Sequence, residues 1–159
     1  MSIPHTVQMY LTERQLPFEI VEHEPTVSSL RTASKAHIGA SCLAKAVLLE
    51  DDLAHSHFLI AVVPASRRVD LGRLSRQTGR PVHLATEEDA ASVFSDCHAG
   101  AMPPLGPAYG LETIWDDALM QQQELYFEAG DHEHLVRMTS GNFARLLQGC
   151  AHGQFSQAM

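Results

Sequence analysis

Leu43-Ala44-Lys45-Ala46-Val47-Leu48-Leu49-Glu50, an acidic break at Asp51-Asp52, then His57-Phe58-Leu59-Ile60-Ala61-Val62-Val63: two apolar runs rich in branched side chains flank a short polar turn. Runs of this length and composition read as core strands, and their closeness predicts a hairpin. One residue is out of place. Lys45 is one of only two lysines in the chain, and on a strand it shares a face with Leu43, Val47 and Leu49. An ammonium there is costly to desolvate without a partner. Either its stem carries the charge out to solvent, or the charge awaits an anionic partner.

Outward from the hairpin, helices and strands interleave without a strict βαβ rhythm. Pro4 to Leu16 has Val7, Tyr10 and Leu11 at helical spacing, and Pro17 ends it. Phe18 to His23 alternates as a short half-buried strand. Ser28 to Ile38 is a helix capped by Ser28 or Ser29 and stopped at Gly39. Asp70 caps a helix through Gln77 that ends at Gly79. Val82 to Ala85 is a short strand, and Thr86 with Glu87, Glu88 and Asp89 opens another helix. Leu111–Trp115, Glu124–Glu128 and Leu135–Met138 are strands, and Thr139 or Ser140 begins a last helix through Leu147. The pattern predicts a mixed sheet with helices around it. No linker or repeat divides the 159 residues, so one domain is expected, with a core over about 5–148 and a tail over 149–159.

Composition narrows the functional classes. Hydrophobic residues are 45% and charged residues 19% of the chain, a globular balance. A net charge of −8 excludes attraction of nucleic acid by bulk electrostatics, so any such partner needs a local basic patch. Arg67, Arg68, Arg73, Arg76 and Arg80 hold five of the eleven basic side chains, as that patch or as an ordinary solvated helix face. Cys42, Cys97 and Cys150 are too scattered for a zinc knuckle or a disulfide framework. The H-x-H pairs His55/His57 and His132/His134 lack further ligands at a recognisable spacing, so no metal or other cofactor is expected. No signal peptide or membrane span is read, which makes the cytoplasm the expected compartment.

Two loops could carry chemistry. Gly100-Ala101-Met102-Pro103-Pro104-Leu105-Gly106 combines close backbone approach with proline rigidity, and could present the N–H groups of Gly100, Ala101 and Met102 to an ester carbonyl. It is equally the composition of an ordinary turn. Ala129-Gly130-Asp131-His132-Glu133-His134 places a histidine after a strand, suited to a substrate hydrogen bond, or again to a turn.

In order and spacing these pieces resemble the YbaK family, which includes the editing domain inserted in bacterial prolyl-tRNA synthetases and its free-standing ProXp-type relatives. The matching stretches are Glu22-His23-Glu24-Pro25-Thr26, Ala44-Lys45-Ala46-Val47-Leu48, Ala61-Val62-Val63-Pro64-Ala65, Val69-Asp70-Leu71, Leu84-Ala85-Thr86-Glu87-Glu88, the Gly-x-x-x-Pro motif Gly100–Pro104, and Ala129-Gly130. The resemblance implies an α/β fold in a single domain, with a mostly antiparallel, barrel-like sheet surrounded by helices. It implies a hydrolase that deacylates mischarged aminoacyl-tRNA in trans, with a synthetase as a candidate second partner and a monomer as the default state. Lys45 would hold the substrate end, and Gly100, Ala101 and Met102 the ester carbonyl. Thr26, Pro103, Pro104, Gly106 and His132 would contact the substrate, with His134 the alternative register for His132. Water would be organised by backbone and by the tRNA's own terminal hydroxyl, without a metal or protein nucleophile. Ala46 departs from the family, which often has a hydroxyl or amide residue there, and Met102-Pro103 leaves the pocket size open. The alternative is a non-catalytic module on the same fold that binds aminoacyl-tRNA or a nucleotide-like ligand.

Overall fold

The computed structural model describes residues 3–24, 29–53 and 57–159. Chain order begins with α1 (His5–Arg14), β1 (Glu19–Glu22) and α2 (Ser29–Lys35), followed by the hairpin strands β2 (Ala44–Asp51) and β3 (Phe58–Pro64). Next come β4 (Arg67–Val69), α3 (Leu71–Thr78), β5 (Val82–Leu84) and α4 (Glu87–Val93). The chain closes with β6 (Glu112–Asp116), β7 (Glu124–Glu128), β8 (His134–Thr139), α5 (Ser140–Leu146), β9 (Ala151–Gly153) and β10 (Ser156–Ala158). None of the helices among the described residues is long and apolar enough to cross a membrane.

The helix ends follow from side chains that satisfy orphan backbone donors. Asp70 accepts the Arg73 N–H at 3.0 Å to start α3, and Gly79 ends it at φ +70°. Thr86 and Asp89 form a reciprocal capping box on α4. Thr139 accepts from the Asn142 N–H at 3.1 Å and starts α5.

β2 and β3 pair antiparallel from Ala44–Pro64 to Glu50–Phe58 and lie in the middle of a five-stranded sheet, order β5-β2-β3-β6-β9. β6 joins β3, and β9 joins β6, in parallel; the other pairs are antiparallel. A second sheet, order β1-β8-β7, and a ribbon, β10-β4, complete the molecule. The mixed, mostly antiparallel α/β arrangement is as expected, but the barrel is not. The sheets stay open: among the described residues they are bridged only once, from Leu43, just ahead of β2, to Tyr126. The expected tail is also structured: Phe155, fully buried, anchors β9 and β10 against α3 and β6.

Side-chain alternation on the hairpin divides the core. Ala44, Leu48, Ile60 and Val62 pack with α1, α5 and Phe127, whereas Leu49, Leu59, Ala61 and Val63 pack with Leu74 of α3 and Phe155. Each of the leucine, isoleucine and valine side chains among them contributes roughly 1.5–3 kcal/mol on burial. This apolar drive on both faces fixes where β2 lies, and hence where its one lysine lies.

Candidate functional site

β2 is paired along its whole length with β3, but only at Leu49, Glu50 and Asp51 with β5. Where β5 falls away, a cleft of about 560 Å³ opens along β2 at Lys45, Ala46, Val47 and Leu48. Its other walls are Leu84 to Glu87, then Ala90, Ala91 and Phe94 on the α4 side, and the segment Cys97 to Gly100 with Met102. The fold therefore brings Lys45 to one cavity with Gly100 and Met102, 55 and 57 positions further along the chain.

Lys45 leaves β2 on the α3 face and is half-buried. Its ammonium has no hydrogen-bond or ion-pair partner among the described residues, and burial alone lowers its pKa from the ordinary 10.5. An unpaired, partly desolvated cation at a cleft wall is a site prepared for negative charge.

The loop opposite is held by its backbone. The His98 N–H donates to the Gly130 carbonyl at 2.8 Å, and the Ala101 N–H donates to the His98 carbonyl at 3.0 Å. Gly100 adopts φ +80°, which favours glycine. Ala101 is thus no free donor: it is fully buried and its N–H is engaged, which corrects the expectation that three successive N–H groups face a ligand. Gly100 and Met102 line the cleft, and their N–H groups meet no protein acceptor among the described residues.

His132 does not line the cleft. It is buried, sits at φ +64°, and its Nε2 hydrogen-bonds the Ala99 carbonyl, so Nε2 carries the proton. It contacts the loop through Ala99 and itself stays outside the cleft lining, where a substrate contact was expected. His134 bonds Asp131 through Nδ1. Burial pushes the Asp131 carboxyl up, but the N–H groups of Glu133 and His134 and the His134 ring together hold it below its ordinary value. Pro103, Pro104 and Gly106 are buried behind the loop and line no part of the cleft. A Cβ at Gly106 would overlap the Thr113 hydroxyl, so this glycine serves packing. Thr26 and His55 lie outside the described residues.

The five arginines separate. Arg67 is tied to Ser156 through its Nε at 2.7 Å, and Arg80 to Glu112 and, at 3.8 Å, to Asp51. Arg68, Arg73 and Arg76 remain exposed, the last two beside a shallow depression with Gln77 and Gln154. No group of three or more metal-ligating side chains occurs among the described residues. Cys97 lines the cleft, yet burial pushes its thiol up to about 12, which leaves it protonated and a poor nucleophile at neutral pH.

Sequence reasoning missed the α4 wall. Its signal was present: Ala90 and Phe94 are four residues apart, on one face of the helix that Thr86 caps.

The profile of the aminoacyl-tRNA editing domain matches residues 23–146, most of the chain, and the chain belongs to that family. Among solved structures, that of the hypothetical protein APE2540 superposes at TM-score 0.84 with 18% identity, covering 96% of this chain and all of the other. A proposed trans-editing enzyme for prolyl tRNA synthetase superposes at 0.80 with 21% identity, covering 99% of this chain and 100% of the other. A protein assigned to signal transduction in Marinobacter aquaeolei VT8 contains the fold in 31% of its length, at TM-score 0.75 and 22% identity. At these identities the likeness is one of fold. No curated protein sequence matches the chain.

Proposed function

We propose that this chain is a trans-editing deacylase that hydrolyses the ester of mischarged aminoacyl-tRNA. The observation that carries this reading is the cleft itself, where Lys45, without a partner among the described residues, lines the same cavity as Gly100 and Met102 within one editing-family fold.

In this mechanism the terminal adenosine end enters along β2, and Lys45 meets its negative charge. The ester carbonyl points at the N–H groups of Gly100 and Met102, which stabilise the oxyanion as it forms. Water adds to the carbonyl carbon, the bond to the ribose oxygen breaks, and a proton passes to that oxygen from the neighbouring ribose hydroxyl or water. The products are the free amino acid and tRNA with both terminal hydroxyls restored. An aminoacyl ester is already activated, so orienting water and stabilising charge suffice without a protein nucleophile. Cys97, the nearest thiol, is too weakly acidic to serve as one. Exposed Arg68, Arg73 and Arg76 are on hand for acceptor-stem phosphates, and a synthetase would be a second partner that delivers the tRNA.

The test is a panel of mischarged tRNAs with Lys45→Ala as the control. The expected result is loss of one or two amino acids, slowed about 100-fold or more in the variant while its circular dichroism is unchanged. A flat panel at low salt would favour the binding module instead.

A further inference from the structure

Four consecutive residues of β2 line the cleft. Successive side chains on a strand point to opposite faces, so a cavity that touches all of Lys45 to Leu48 must run along the strand's edge and meet its backbone. The register says which backbone groups are offered. Ala65 N–H donates to Leu43 O at 2.8 Å and Asp51 N–H to His57 O at 2.9 Å, at the two ends of the β2–β3 ladder. Antiparallel pairs alternate, so the odd-numbered residues between them turn their N–H and C=O groups to β3. Ala44, Ala46 and Leu48 turn theirs outward. Of these, Leu48 O accepts the Ala85 N–H at 3.0 Å, but Leu48 N–H receives no acceptor from Ala85 or any other described residue. Ala46, lying between the Leu43 bridge to β7 and the stretch of β2 paired with β5, has no strand beside it among the described residues.

We infer that this open edge is a base-reading site, in which Ala46 C=O and Leu48 N–H pair with the Watson–Crick edge of an adenine. A carbonyl and the N–H two residues further on point the same way along a strand. They match a ring that offers an exocyclic amine donor beside a ring-nitrogen acceptor, as adenine does with N6 and N1. Leu84, 58% exposed, with Ala85, Ala90 and Ala91, offers apolar contact to the faces of such a ring at that end of the cleft. Lys45 stands at the other end of the same edge, suited to the phosphate of the same nucleotide. The inference rests on the aminoacyl-tRNA reading, because every such substrate ends in adenosine, and it adds that the base is recognised by backbone rather than by a side chain.

The experiment measures binding of 3′-deoxy-3′-(alanylamino)adenosine 5′-phosphate, whose amide resists hydrolysis, by calorimetry and by the amide shifts of Ala46 and Leu48. Its inosine counterpart presents an acceptor and a donor in the reverse order, opposed to both backbone groups. It is expected to bind about 30-fold more weakly or worse, and the purine riboside analogue, which lacks the amine, about fivefold more weakly. The 7-deaza analogue, altered on the far edge only, should bind within about twofold of the parent. Equal affinity for the adenosine and inosine compounds would overturn the assignment, as would no saturable binding. Sensitivity to the amino acid alone would overturn it too, by placing the α-ammonium on the Ala46 carbonyl instead. Adenosine-selective binding without turnover of any ester would sink the deacylase reading and keep this one, whereas turnover indifferent to the terminal base would do the reverse.

Discussion

Lys45 costs the fold something. It is half-buried without a partner, and its folded pKa lies below the ordinary 10.5 of the unfolded chain. At neutral pH both states are protonated, so the folded state bears the desolvation. As pH rises from the folded pKa toward 10.5, the unfolded chain holds more protons and stability climbs. Lys45→Met, which keeps the stem and removes the charge, should therefore gain about 0.5–1 kcal/mol near neutral pH, a gain that shrinks as pH approaches 10.5. Denaturant titrations at several pH values check this, and a less stable variant would mean that the charge has a stabilising partner. The same substitution should abolish deacylation. If both outcomes hold, Lys45 is where strand patterning and function conflict. That conflict is visible in the sequence, because no other charge interrupts Leu43 to Leu49.

Among the elements, β9 and β10 were the least expected. The segment after Cys150 has no strand-like run, only Ala151-His152-Gly153 and Ser156-Gln157-Ala158 around Phe155. Its backbone is nevertheless engaged on both sides. Phe155 N–H donates to the Asp116 carboxylate at 3.0 Å, Phe155 O accepts the Asp70 N–H at 2.7 Å, and Arg67 holds Ser156 through side chain and backbone. The segment ties the start of α3 to the end of β6. Phe155→Ala should cost about 3–5 kcal/mol of stability through the cavity it leaves. Thermal unfolding measures it, and a loss under about 1 kcal/mol would mean that the strands hold without their anchor. The loop over Gly100–Met102 is the opposite case. Its sequence marked it as rigid, but only the bond from the Ala101 N–H to the His98 carbonyl shows which of its N–H groups is taken.

For the whole molecule, the question is how a chain of net charge −8 meets a polyanion. Three of the five clustered arginines are exposed and without a partner among the described residues, and β4 and α3 carry them on the sheet face from which Lys45 projects. If these three neutralise phosphates, they should contribute a log–log slope of about −2 to −3 to the fall of tRNA affinity with salt. Replacing Arg68, Arg73 and Arg76 together with alanine should flatten the slope by about 2 to 3 and leave only the share of about 1 that Lys45 carries, while hydrolysis of a free aminoacyl-adenosine stays unchanged. Fluorescence binding at several salt concentrations decides it, and an unaltered slope would move the tRNA contact elsewhere.

By itself the sequence determined the hairpin, the capped helices, the mixed α/β class and the single aberrant lysine. Each of these rests on local rules: side-chain period, capping chemistry, and the cost of a charge in an apolar run. It also carried the family resemblance, because motif order survives at identities where side-chain detail does not. Tertiary structure alone decided that the sheets stay open, that the Ala101 N–H is engaged while those of Gly100 and Met102 meet no acceptor among the described residues, that His132 hydrogen-bonds the loop at Ala99, and that Arg67 and Arg80 are committed to partners. Above all it decided where β2 lacks a neighbour. Which backbone groups of a strand remain free depends on where other strands begin and end beside it, and those neighbours come from remote parts of the chain.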